Sequence, residues 1–364
     1  MGLGRGEGRE DTEISSITES FGHKAARAQQ ILLSVLMETL EGSELCFPQL
    51  LNTSCKKTGR PHFETMLIYI LLYSISLLTA VLNLLVIISI SHFKQLHTST
   101  NLILLSLAVS DFFVGLVMCF QIIHLDGCWF FGDLICALDQ YLAYIVTSAS
   151  VGTMVLISVD RYVAICHPLH YSTEITEKRV QVCVCLCWVC SVIFQSLILK
   201  DMLEQPGRYN SCVGECIIVV NYIAGFVDLI FSFIVPITVI VVLYMRIFVV
   251  AVSQARAMRS HIAAVTLQKS VKVTAKKSEI KAARTLGVVV VVFIICLCPY
   301  YCVALTGQDN FLNASSAFFV ICLFYFNSCL NPVIYVLFYP WFRKSIKLIV
   351  TLKILQTDSC EANM

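Results

Sequence analysis

Charge is scarce in this sequence: 14% of its 364 residues are Asp, Glu, Lys or Arg, while 57% are hydrophobic. Soluble domains average roughly 25% charged and 45–50% apolar residues. That shortage speaks against a soluble enzyme, as does a mean hydropathy of +0.79. Neither sign of charge is in excess, with a formal net charge of +2, so bulk charge offers nothing to a nucleic-acid backbone. Histidine clusters are missing too. His92, His97, His167 and His170 fall at the edges of apolar blocks without grouped thiols or carboxylates, which gives no basis for a metal centre. The first 36 residues hold no apolar core long enough for a signal peptide. The opening Met-Gly-Leu-Gly-Arg-Gly lacks the Ser or Thr of a myristoylation site.

What the sequence has instead is long apolar blocks, over about 66–91, 101–123, 136–164, 180–199, 217–250, 284–306 and 316–338. Crossing about 30 Å of hydrocarbon takes about 20 residues of helix. None of the blocks shows the strict alternation of a barrel strand, so helices are what satisfy their backbone groups in lipid. The expected fold class is therefore an all-α membrane protein. Basic residues set its orientation. Arg256, Arg259, Lys269, Lys272, Lys276, Lys277 and Lys281 crowd the link after the fifth block, and Arg343, Lys344 and Lys347 follow the seventh. Asp126, Asp133, Glu204, Glu215 and Asp309 lie in the opposite loops. The N-terminus is predicted outside and the C-terminus inside a plasma membrane.

The chain divides into an external N-terminus over 1–65, expected to be disordered, a membrane domain over 66–338 and a cytoplasmic tail over 339–364. Met37 opens a plausible alternative start, so 1–36 reads as an extension of the gene model. Asn52-Thr53-Ser54 and Asn313-Ala314-Ser315 are external glycosylation acceptors. Eleven of the cysteines, Cys183 and Cys296 among them, fall in or beside apolar blocks and read as small, soft packing residues. Cys46, Cys55, Cys128, Cys136, Cys212 and Cys216 fall on the outer side, where disulfides persist.

Each block carries a polar or ring-bearing residue that lipid alone would not select. They are Asn83, Asp111 in Leu-Ala-Val-Ser-Asp, Asp160-Arg161-Tyr162, Trp188, Pro236, Pro299 and Asn331-Pro332-Val333-Ile334-Tyr335, in chain order. A charge at the bilayer centre costs about 2.5–3.5 kcal/mol on insertion scales, so such groups face the bundle interior. This ordered set, one per block over residues of about 60–350, resembles the rhodopsin-like receptor family. The resemblance implies a seven-transmembrane helix bundle followed by a short amphipathic helix eight, signalling through a heterotrimeric G protein and surrounded by membrane lipid.

Roles follow from that resemblance. Arg161 looks like the switch arginine, paired at rest with Asp160 and Glu279 until the sixth helix swings out. Tyr162 completes its motif, and Tyr244 and Tyr335 resemble the tyrosines that support the open state. Asp111 with Ser150, Ser328 and Asn331 resembles an internal sodium pocket. Pro236, Val151 and Phe293 resemble the packing triad that links pocket to switch. Leu297 stands where most relatives carry Trp, so transmission is expected to run through Phe293 and the tyrosines. Cys136 and Cys216 resemble the family's loop-pinning disulfide. Cys212 is unusual for the wider family, and a second bridge from it to Cys46 or to Cys55 would tie down the N-terminus.

The run from Asn327 to Tyr335, followed by Phe338-Tyr339-Pro340-Trp341-Phe342-Arg343-Lys344, is similar to the fingerprint of trace amine-associated receptors. Trp341-Phe342 sits where helix eight begins. The loop Cys212-Val213-Gly214-Glu215-Cys216 and the run Cys128-Trp129-Phe130-Phe131-Gly132 agree with it. This resemblance implies a small-amine ligand, a stimulatory G protein, cyclic AMP and expression in olfactory sensory neurons.

Aminergic receptors place an acid eighteen residues before the switch arginine, five turns outward on the same helix face. Here that residue is Ala143. Asp228 offers a replacement, eight residues before Pro236 and flanked by Val227 and Leu229. An acid in so apolar a run is costly without a cationic or hydrogen-bonding partner. The fish-expanded branch of the family is similar, often lacking the third-helix acid and carrying one on the fifth. Asp228 is the expected ammonium anchor, with a plain structural Asp as the bland reading. Asp139, one turn beyond Ala143, reads as a vestibule charge that steers amines inward. Tyr300, Tyr301 and Tyr325 are expected to box the cation, with Tyr144, Thr147 and Ser232 as further lining. Both acids acting together would suit a diamine, and Asp228 alone a monoamine.

Other classes fit less well. Transporters show internal repeats and paired helix breaks, and neither is present. A zinc-dependent seven-helix hydrolase needs a histidine cluster, and a retinal pigment needs a Lys where Tyr325 stands. Asp160-Arg161-Tyr162-Val163-Ala164-Ile165-Cys166 also resembles the odorant-receptor family, which leaves an odorant-type receptor for a non-amine as the alternative.

Overall fold

The structure is a computed structural model that describes residues 45–50, 52–57, 62–123, 127–262, 287–303, 314–356 and 361. Backbone groups in hydrocarbon must be satisfied within their own segment, and the apolar blocks do this as helices. These are α1 (His62–His92), α2 (Ser99–Ile123), α3 (Gly132–Cys166) and α4 (Glu177–Ile198). Next come α5 (Tyr222–Ile262 in three continuous pieces), α6 (Gly287–Val303) and α7 (Ala314–Phe338), with α8 (Pro340–Val350) last. Six of these are long and apolar enough to span a membrane, and α6 is a shorter apolar helix. Among the described residues no strand forms, only isolated bridges.

Helix ends differ from the apolar blocks where local chemistry decides. α5 starts at Tyr222, not near 217, because the Asn221 side chain caps it by accepting from the Ala224 N–H at 2.8 Å. α3 starts four residues early, just after a tight turn in which the Trp129 indole donates to the Gly132 carbonyl at 2.8 Å. Midway along α5, Ile230–Ile234 winds as a π turn, and the Val235 N–H returns to the Ile230 carbonyl. Pro236 follows within two residues and has no N–H to give. The extra residue in that turn sets how the side chains preceding it face the bundle.

Polar groups inside the bundle are spent on helix-to-helix links. Pro332 inside α7 removes the backbone donor that the Ser328 carbonyl would have used. Asn83 of α1 replaces it, its Nδ2 donating to that carbonyl at 2.9 Å. Trp188 of α4 donates to Ser106 Oγ of α2 at 3.1 Å, and Ser106 meets Thr153 of α3 at 3.1 Å. α1 and α2 approach closely at Gly115. A Cβ there would come within 2.9 Å of the Ala80 nitrogen, so glycine is the residue this crossing accepts. Large apolar side chains left exposed on α1, α4 and α5 suit lipid contact.

α8 begins at Pro340, a residue preorganised for a first helical turn. It buries Phe342 and Ser345, and Ser345 Oγ donates to Ser89 Oγ of α1 at 2.8 Å. Arg343, Lys344 and Lys347 stay exposed.

The opposite end of the bundle carries a cross-linked cap. Disulfides join Cys46 to Cys128, Cys55 to Cys212 and Cys136 to Cys216. The expectation of disorder up to residue 65 therefore fails for 45–50 and 52–57. Cys212 takes Cys55, and Cys46 takes Cys128, which the sequence had not marked as its partner. The backbone supports the arrangement. Cys46 N–H donates to the Cys55 carbonyl at 2.9 Å, Val213 N–H to Thr53 at 2.7 Å and Trp129 N–H to Gly214 at 2.7 Å. Gly214 sits at φ +99° against the Phe47 ring, a conformation and a contact that no other residue suits.

Candidate functional site

A cavity of about 150 Å³ opens in the capped half of the bundle, between α3, α4, α5, α6 and α7. Its wall includes Ala143, Tyr144 and Thr147 of α3, Asp228 and Ser232 of α5, Tyr300 and Tyr301 of α6, and Tyr325 of α7. Eight of the nine ligand-site candidates thus come together around one space. Ala143, with only a methyl group, leaves room where a longer acid would project. Asp228 is the one acid in the described wall. Two donors hold it, Ser232 Oγ at 2.7 Å and Gln195 Nε2 at 3.1 Å, and both end on the same oxygen, Oδ1.

The aromatic side is a connected series. Phe233 stacks on Tyr301 with ring centroids 4.2 Å apart, and Tyr301 meets Tyr300 edge-on at 5.3 Å. Tyr300 lies 4.8 Å from Phe324, which meets Tyr325 at 5.4 Å. Such faces attract a cation by their quadrupoles.

Asp139, the ninth candidate, needs correction. It is 7% exposed and is not among the wall residues. Its Oδ2 accepts from Gln121 Nε2 at 2.9 Å. A vestibule charge able to steer ligands must face water; this carboxylate lies beneath the surface and is engaged by its neighbour.

At the far end of α3, Asp160 and Arg161 form a buried pair. Arg161 Nε donates to Asp160 Oδ2 at 2.8 Å, and Nη2 reaches both that oxygen and Thr100 Oγ1 of α2. Thr100 donates to Oδ2 at 3.0 Å, and Tyr171, in the loop after α3, donates to Oδ1 at 2.8 Å. Burial, reinforced by the Asp160 carboxylate, holds the Tyr171 hydroxyl above the ordinary phenol range, which keeps it a donor. Tyr162 packs edge-on against His167 at 5.5 Å. Tyr244 and Tyr335 have buried hydroxyls with no hydrogen-bond partner among the described residues. Glu279 and Asn313 lie outside the described residues. Asn52 is exposed.

Between the two ends, Phe293 and Val151 share the main core with Leu297. Pro236 is half-buried on α5, just past the π turn. Asp111 is fully buried, and Asn331 Nδ2 donates to its Oδ2 at 2.7 Å. Ser150 and Ser328 are buried as well. Asp111 Oδ1 and Asn331 Oδ1 are buried oxygens without a hydrogen-bond partner among the described residues. At the cap, Cys55, Cys212 and Glu215 cluster, but the two sulfurs are bonded to each other and cannot act as thiolates.

Several wall residues escaped the sequence reading, chiefly Gln121, Gln140, Gln195, Asn221 and Phe324. A neutral amide inside an apolar block leaves a weak signal. Gln195 could have been noticed seven residues after Trp188, almost two turns along the same helix.

Comparison with known proteins adds a family match and three relatives. A family model described as 7 transmembrane receptor (rhodopsin family) matches residues 82–335. Trace amine-associated receptor 13c of Danio rerio is 39% identical over 339 residues, covering 88% of this chain and 96% of its own. Trace amine-associated receptor 4 of Mus musculus is 35% identical over 88% of this chain and 95% of its own. Trace amine-associated receptor 8a of Rattus norvegicus is 37% identical over 87% and 95%.

Proposed function

Since the chain belongs to the rhodopsin family of seven-transmembrane receptors, and within it to the trace amine-associated receptors, we propose that it senses small amines by holding their ammonium group on Asp228. It is a multi-pass membrane receptor, not an enzyme, and its family implies a ligand and a G-protein partner. The observation that carries the reading is the placement of Asp228 as the one acid in the described cavity wall, facing an aromatic series, with both its donors on a single oxygen. An incoming N–H finds a carboxylate that still has lone pairs to give. Ala143 leaves space on α3, so the ammonium points toward α5, with the ligand's apolar part against Tyr300, Tyr301 and Tyr325.

The signal runs to a stimulatory G protein and cyclic AMP. Ligand contact at α5 and α6 biases the core around Phe293, and release of Arg161 from Asp160 lets the inner end open. The N-terminus and the cross-linked cap face outward at the plasma membrane, where disulfides persist, and olfactory sensory neurons are the proposed setting. The Asp111 cluster suits a sodium ion: Asp111, Ser150, Ser328 and Asn331 would hold it, offering hard oxygen donors, two of them buried without partners among the described residues. Bound there, the ion would offset the buried negative charge.

The test is cyclic AMP in cells expressing the receptor, against a panel of mono- and diamines, with wild type beside Asp228→Asn at matched surface expression. Losing one partner of a buried charge pair costs roughly 2–5 kcal/mol, so the mutant's response should shift by about 30-fold or more. An unshifted response removes Asp228 as the anchor. Silence from wild type toward every amine favours an odorant-type receptor for a non-amine.

A further inference from the structure

Gln195 of α4 stands in the cavity wall beside Asp228 and is 1% exposed. Its Nε2 donates to Asp228 Oδ1 at 3.1 Å. A carboxylate has no proton to give, so the amide must turn its nitrogen toward Asp228, and chemistry fixes the side chain's orientation. The carbonyl oxygen then points away from that bond. It is buried and accepts no hydrogen bond from the described residues.

No donor among the described residues reaches that oxygen. The Ser232 hydroxyl is spent on Asp228 Oδ1, and helical N–H groups are spent on their own ladder. Two acceptors therefore share this part of the wall, a carboxylate in need of positive charge and an amide oxygen in need of a hydrogen. A primary ammonium carries three N–H donors and can serve both. A tertiary ammonium has one, which the carboxylate takes, and a quaternary ammonium has none.

We infer that Gln195 Oε1 is a second acceptor for the ligand's ammonium group, so that the cavity selects primary amines over tertiary and quaternary ones. The inference rests on the reading of Asp228 as ammonium anchor. Gln195 also positions Asp228, and the two parts have different signatures. Loss of positioning weakens every amine alike, whereas loss of the acceptor weakens only ligands with N–H groups to spare.

The probes are pentylamine and 2-phenylethylamine, each with its N-methyl and N,N-dimethyl forms, read as cyclic AMP EC50 on the full-length receptor at matched surface expression. In wild type, EC50 is expected to rise with each methylation, by about 10-fold or more in total. Gln195→Met keeps the length and removes the amide. It should raise the primary-amine EC50 by about 10-fold and that of the dimethyl forms by less than about 3-fold, collapsing the order. An equal loss for primary and dimethyl amines overturns the inference, as does a wild type that answers dimethyl amines as well as primary ones. The wild-type order stands as a test even if the variant fails to reach the surface. Asp228→Asn separates the two readings. If it weakens all the amines while Gln195→Met leaves the order intact, only the present inference falls. If it weakens none, or wild type is silent toward all six, both fall.

Discussion

Two acids, one at each end of the bundle, are satisfied in different ways. Asp160 has both oxygens occupied: Oδ1 by Tyr171, Oδ2 by Arg161 and Thr100. Asp228 takes two donors on Oδ1, and no donor from the described protein reaches Oδ2. A saturated acid locks a conformation, because each bond must be broken for the helices around it to separate. An acid with an oxygen in reserve remains costly to bury until something else arrives. The first is built to hold and the second to receive, and the cavity lies beside the second.

The comparison breaks most strongly at Asp228. Asp228→Asn should weaken amine responses by about 30-fold or more without changing basal signalling. Adding Ala143→Asp in that background moves the charge across the cavity, since both positions line it, and should recover part of the loss for amines small enough to reach α3. Asp160→Asn should do the reverse. It strips charge-assisted bonds of about 1.5–3 kcal/mol from the resting pair, so basal cyclic AMP should rise toward the stimulated level by about 10-fold while amine EC50 moves little or falls. Unchanged basal signalling would show that Asp160 does not hold the resting state. Tyr171→Phe removes a single hydrogen bond to Oδ1, about 0.5–1.5 kcal/mol, and should give the same change at about 2–10-fold. The smallest effect belongs to Ser232→Ala. It removes one of two donors to Asp228 Oδ1 and should shift amine EC50 by roughly 3-fold, well short of the loss of the carboxylate.

The bundle was legible because lipid writes in long words: a span of about 20 apolar residues cannot hide. Distances along helices made most of the cavity legible as well. Counting from Arg161, Pro236, Pro299 and Pro332 located Ala143, Asp228, Tyr300, Tyr301 and Tyr325, which the structure brings around one space. Charge in an apolar run was the clearest mark, yet it misled at Asp139, whose burial depends on how α2 and α3 pack and on Gln121 reaching it. Amides such as Gln195 and Gln121 carry no charge and disturb hydropathy little. The π turn at Ile230–Ile234 leaves no residue-type signal apart from the proline beyond it. Pairing among six cysteines is open in principle to 15 connectivities, and the choice of Cys128 for Cys46 depends on loop paths that spacing does not encode.

The cap has a consequence for robustness. Cys46 and Cys55 sit opposite one another on a short hairpin, yet their bridges run to different moorings, Cys128 before α3 and Cys212 before α5. Cutting either line leaves the hairpin made fast by the other, so a single lost bridge swings the strap aside without casting it off. Only the loss of both would set the N-terminal segment adrift from the mouth it borders.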